Sequence, residues 1–127
     1  MPTPPLPTGA ELEILRVLWQ RGPSTVREVQ EALHAVRGSG YTTVLKFLQI
    51  MHGKGLVTRD ARATSHVYAA AVAREATEHR LVADLAARAF EGSPGRLALR
   101  ALAERRASPE ELREIRLLLQ QLEGEGA

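Results

Sequence analysis

Apolar positions recur along most of this chain at steps of three and four, the period of a helix buried on one side. Leu12, Leu15, Leu18 and Trp19 begin the series. Thr8-Gly9-Ala10-Glu11 precedes them, and there hydroxyl and carboxylate can each accept a hydrogen bond from the other's free amide. The spacing therefore starts a first helix at Thr8, and Gly22-Pro23 stops it. Thr25 and Glu28 repeat the capping pattern, and Val26, Val29, Leu33 and Val36 form one stripe before Gly38-Ser39-Gly40 breaks it. A third helix is predicted from Tyr41 to Lys54, with Val44, Phe47, Leu48 and Met51 inward and Gly55 ending it at positive φ.

The period then changes. Leu56-Val57-Thr58-Arg59 and His66-Val67-Tyr68-Ala69 are short β-branched or aromatic runs around a polar, basic tip, the pattern of a two-stranded hairpin. Helical spacing returns from Arg74 to Phe90, again after Gly92-Ser93-Pro94-Gly95, and last behind Ser108-Pro109-Glu110-Glu111, a third capping box with proline at the first helical position. In the last helix Leu112, Ile115, Leu119 and Leu122 form an a/d seam that Leu118 widens. The expected organisation is a disordered, proline-rich tail over 1–7, a first domain over 8–72, a helical region over 73–123 and a frayed tail over 124–127.

Three helices and a hairpin in this order make a winged helix-turn-helix, and the fold class is mainly α. Helices one and two would hold the third out as a probe, and a DNA major groove about 12 Å wide admits one helix. Thr42, Thr43, Lys46 and Gln49 lie opposite the apolar side of that helix, where hydroxyls, ammonium and amide could meet base edges or phosphates. Arg59 and Arg62 sit where a wing would touch backbone or minor groove. Each feature also has a plainer reading: a polar face on a surface helix is ordinary, and charges keep an exposed hairpin soluble.

Charge sharpens the picture by segment. Residues 1–73 hold eight basic side chains against five acidic ones, and residues 74–127 nine against ten. A basic front suits a polyanion. The three helices of the back half, with few aromatics and an a/d seam, could hardly bury their apolar faces alone. A twofold-related copy is the commonest partner, and Leu81, Leu85, Leu97, Leu102, Leu112, Ile115, Leu119 and Leu122 are its candidate contacts.

With these stretches in place, residues 6–70 resemble the DNA-binding domain of the BlaI/MecI/CopY family of bacterial transcriptional repressors. The matching segments are Ala10 to Trp19, Thr25-Val26-Arg27-Glu28-Val29, Tyr41-Thr42-Thr43-Val44-Leu45, Lys54-Gly55-Leu56-Val57 and His66-Val67-Tyr68. The resemblance continues more weakly to about Leu122. It implies a homodimer that blocks transcription from inverted-repeat operators with TACA and TGTA half-sites. Its contact positions fall on Thr42, Thr43 and Lys46, with a wing around Arg62; Thr25, Tyr41, Gln49 and Arg59 complete the candidate DNA-binding set. It also implies a membrane sensor protease as antirepressor.

The chain departs from the family pattern in three places. It has no cysteine, which excludes the thiolate metal sensing of CopY-type members. Leu99-Arg100-Ala101-Leu102 stands where beta-lactam-responsive members carry a cleaved Asn-Phe pair. Ile50 replaces an arginine common in relatives, and Gly53 replaces a better helix former.

Other chemistry finds little support. His34, His52, His66 and His79 are scattered without metal-ligand spacing, and no phosphate loop or nucleophile elbow occurs. Ser65 and His66 are neighbours in an extended run and point to opposite faces. No cofactor and no catalysis are expected. The four prolines and absent cations of Met1 to Pro7 fit no signal or transit peptide, and no apolar run approaches the roughly 20 residues of a membrane span. A cytosolic site of action follows. Two other readings stay open: a helical adaptor that binds protein rather than DNA, and a winged-helix regulator with a small-molecule pocket in its back half.

Overall fold

The computed structural model describes residues 3–62 and 64–126, and of residues 35–37 the backbone alone. The expectations for Met1, Pro2, Ala63, Ala127 and the Val36 side chain lie outside those residues. The elements run α1 (Gly9–Arg21), β1 (Ser24–Thr25), α2 (Val26–Arg37), α3 (Tyr41–Lys54), β2 (Val57–Asp60), β3 (Val67–Ala70), α4 (Arg74–Ala89), α5 (Pro94–Glu104) and α6 (Pro109–Glu125). The chain forms two compact units, 1–81 and 82–127, with the boundary inside α4.

The first unit is a winged helix. Thr8 and Glu11 exchange hydrogen bonds at the start of α1, and Thr25 and Glu28 do the same for α2. The short turns are pinned by side chains: Arg21 reaches the Glu28 carbonyl and carboxylate across the α1–α2 turn, and Gln30 donates to the Ser39 carbonyl before α3. Ile14, Leu15 and Leu18 of α1, Val26, Val29 and Leu33 of α2, and Val44, Leu48 and Met51 of α3 are buried together with Leu56, Val57 and Tyr68. The stripe expected in α1 included Leu12, which is half-buried, and omitted Ile14, which is buried.

Three expectations need correction. The expected two-stranded hairpin is present as β2–β3, but the sheet is wider than expected, with β1 as a third antiparallel strand in the order β1-β3-β2; Ser24 and Arg59 both face Tyr68 across the ladders. The hairpin strands start one residue later than expected, because the Leu56 amide donates to Met51 at the end of α3 instead of joining the sheet. Gly55 provides that turn at φ +84°, in the left-handed region that suits glycine. The segment before α1 is not free: Pro7 is buried, Leu6 is half-buried, and Pro4 lies against Gly55. Prolines lose little conformational freedom on docking, which favours such packing.

Residues 71–74 are held to α1. The Trp19 indole N–H donates to the Val72 carbonyl at 2.9 Å, and the Arg74 guanidinium lies 6.0 Å from the ring centroid. In the second unit, Ser93 caps α5, and Ser108 and Glu111 form the capping box of α6. That helix runs through Gly124 to Glu125, where fraying was expected. Among the described residues of 82–126, only Ala86 is buried. No helix of the described residues is long and apolar enough to cross a membrane.

One polar contact runs through the first unit. Glu11, 2% exposed, accepts a hydrogen bond from Lys54 at 2.7 Å, linking the first turn of α1 to the last of α3. Burial alone would raise the Glu11 pKa; the Lys54 hydrogen bond, the Thr8 amide and the Lys54 charge outweigh it, so the pKa lies below the ordinary 4.5. A depressed carboxylate stabilises the fold fully above its unfolded value and loses that contribution as pH falls through the folded one. Lys54→Met should therefore cost about 1–3 kcal/mol in denaturant unfolding at pH 7. Glu11→Gln should flatten the loss of stability that the natural chain shows as pH drops below 4.5. Identical acid profiles for the two chains would contradict this role.

Candidate nucleic-acid interface

Burial fixes which side of α3 meets solvent. Val44, Leu48 and Met51 face the core, so residues at the alternate steps face outward. Thr42, Thr43, Lys46 and Gln49 are all exposed and lie within two turns at steps of three and four. Tyr41 opens the same helix and is also exposed. Ile50, at 43% exposure, continues the face one turn beyond Lys46, so an apolar side chain ends a row of polar ones. Lys46 and Arg59 are exposed cations with no ion-pair partner among the described residues.

The wing is different. Arg62 closes back on Asp60, with its Nε and Nη2 on the two carboxylate oxygens at 2.8–3.2 Å and its backbone amide on Oδ1 at 2.9 Å. These bonds hold the Asp60 carboxyl below its ordinary range and raise the guanidinium. Arg62 thus sits at the wing, as its spacing required, with its charge offset by a neighbour two residues away. Sequence reading passed over Asp60, although an acid two positions before an arginine in a turn is a local signal for this pairing. Thr25 is committed too: its hydroxyl accepts from the Glu28 amide at 3.2 Å, and Glu28 is shifted below its ordinary pKa first by the Thr25 amide.

Residues from four elements surround a cavity of about 390 Å3 beside α3: Thr25 of β1, Val26 and Arg27 of α2, Tyr41 and Leu45 of α3, and Thr64, Ser65, His66 and Tyr68 from the loop and β3. Spacing along the chain did not single out Arg27, Thr64, Ser65 or His66, since only folding brings positions 27 and 66 to one place.

This fold and this sequence have known counterparts. The sequence model of the family described as Penicillinase repressor matches residues 7–121. The chain belongs to the penicillinase repressor family. The Transcriptional regulator BlaI of Mycobacterium tuberculosis, strain H37Rv, is 36% identical over 96 residues, covering 75% of this chain and 70% of that protein; the same protein of strain CDC 1551 matches equally. The solution structure of the DNA-binding domain of the repressor BlaI superimposes with a TM-score of 0.52 at 23% identity, over 58% of this chain and 90% of that one. A solution structure of the Bacillus licheniformis BlaI monomeric form with the blaP half-operator gives 0.51 at 23% identity, over 59% and 92%. These likenesses establish the winged-helix fold.

The apolar residues expected at a dimer contact are distributed over the three back helices. Leu81, Leu97 and Ile115 are half-buried, and Leu85, Leu102, Leu112, Leu119 and Leu122 are exposed. Val82, Leu99, Leu117 and Leu118 are exposed as well. Among the described residues no three acidic or histidine side chains gather in a metal-holding group.

The Asp60–Arg62 contact has a measurable consequence. Asp60→Asn removes the charge that offsets Arg62, so binding of any duplex should strengthen. The log–log salt slope should steepen by about 0.9, the value for one further phosphate neutralised. An unchanged slope in anisotropy titrations would mean that Arg62 stays clear of DNA.

Proposed function

We propose that this chain represses transcription as a homodimer, each copy laying α3 in the major groove of one half of an inverted-repeat operator. The observation that carries the reading is the division of α3 into two sides, one buried in the core and one exposing Thr42, Thr43, Lys46 and Gln49. Threonine hydroxyls and methyls suit thymine and adjacent edges, and lysine suits guanine O6 and N7 or a phosphate. Membership of the penicillinase repressor family supports the reading. So does the half-operator complex of the Bacillus licheniformis protein. TACA and TGTA half-sites about one helical turn apart fit two probes entering one face of the duplex. The exposed basic and polar face of α3 favours this reading over a protein-binding adaptor.

Dimerisation through α4, α5 and α6 follows from their exposed leucines. A helical unit in which Ala86 alone is buried among the described residues lacks the core that independent folding requires. A second copy covering the Leu112–Leu122 side of α6 would supply it. Release belongs to the same proposal, by proteolysis or by another signal: a sensor protease would have to cut α5 at a place other than the family's Asn-Phe pair, where this chain has Leu99-Arg100-Ala101-Leu102.

Two experiments test these points. In gel shifts the chain should retain a TACA/TGTA inverted repeat over a scrambled duplex, with affinity falling steeply as salt rises. Thr43→Ala should cost about 1–3 kcal/mol on the operator and relax preference at one base pair. Equal weakening on unrelated DNA would remove Thr43 from base reading. Leu119→Asp should give monomers in light scattering and abolish tight operator binding; a dimer of undiminished mass would place the interface elsewhere.

A further inference from the structure

The cavity between the starts of α2 and α3 and the loop into β3 is one-sided in charge. Arg27 supplies a fixed cation and His66 an imidazole, and Tyr41, Thr64 and Ser65 supply hydroxyls; no carboxylate is among the described residues that line it. No described residue hydrogen-bonds or pairs with the side chains of Arg27, Tyr41, Thr64, Ser65 or His66. Arg62, by contrast, is closed on Asp60. The site also adjoins the exposed side of α3, since Tyr41 is followed directly by Thr42 and Thr43. A groove of unengaged donors beside the base-reading face fits an anion that lies next to base edges.

We propose that this cavity seats one phosphodiester of the DNA backbone between Arg27 and His66, and that His66 makes DNA affinity rise as pH falls. The inference rests on the DNA-binding reading above and adds to it the place of a backbone contact and a regulating variable. A phosphodiester offers acceptors and one negative charge, and every polar side chain around the cavity can donate to it. Histidine is the side chain whose charge ordinarily changes between pH 5 and 8. Its neutral ring donates one hydrogen bond; the imidazolium donates two and adds a charge. The charged or titratable groups that share the cavity with it are Arg27 from α2, Tyr41 from α3 and Tyr68 from β3. A bound phosphate favours the imidazolium over the neutral ring. Proton uptake and DNA binding then favour each other.

The test is fluorescence anisotropy of the full chain with a labelled TACA/TGTA inverted repeat and a scrambled duplex, from pH 8 to 5.5 at several salt concentrations. Affinity for both duplexes should rise about threefold or more as pH falls, and the salt slope should steepen by about 0.9 for each phosphate that an imidazolium neutralises. His66→Gln should flatten that rise, and His79→Gln, on α4, should keep it. Arg27→Gln should weaken both duplexes at every pH. A methylphosphonate at a single backbone position should remove the rise, and circular dichroism should show the fold intact across the range. A natural chain that binds DNA with no pH dependence overturns the inference, as does a His66→Gln profile like that of the natural chain. Failure to bind any duplex at any pH overturns instead the DNA-binding reading on which it rests.

Discussion

Val44, Leu48 and Met51 lie on one side of α3 at 2% exposure or less, and the Glu11–Lys54 contact holds the last turn of that helix to the first turn of α1. Apolar burial is non-directional and would tolerate some rolling of a helix in its groove. The ion pair is directional, and a carboxylate as buried as Glu11 is costly to leave without its donors. Together they leave α3 one orientation. The polar side of the helix is therefore presented in a fixed frame, as a probe of base edges requires.

The two units carry different physical demands. The first has a closed core assembled from three helices and a small sheet, and its surface side chains are available for a partner of opposite charge. The second is well capped, yet among its described residues only Ala86 is buried, so capping and propensity define its helices. Caps contribute about 1 kcal/mol each, too little to replace a core. The family model spans both units, whereas the likeness to solved structures bears on the winged-helix fold.

Local rules were legible in the sequence. Thr8 with Glu11, Thr25 with Glu28 and Ser108 with Glu111 are four-residue patterns, and each forms the reciprocal cap it spells. Gly55 and the period change after it placed the end of α3 and the start of the hairpin to within a residue. What sequence missed depends on residues distant in the chain. The Glu11–Lys54 pair spans 43 positions, and β1 is two residues whose strand character comes from pairing with β3. Pro4 and Pro7 read as a free tail because composition does not reveal a docking surface near Gly55. On the candidate interface, the outward side of α3 followed from helical periodicity and the Asp60–Arg62 pairing had a local signal in the turn, whereas the gathering of Arg27 and His66 around one cavity required the fold.

Amide chemical-shift mapping of the labelled chain during titration with an inverted-repeat duplex would show whether the outward side of α3 is the surface that meets DNA. The largest shifts should fall at Thr42, Thr43, Lys46 and Gln49, extending to Arg27 and the wing. Shifts confined to α5 and α6, with residues 41–50 unmoved, would contradict it.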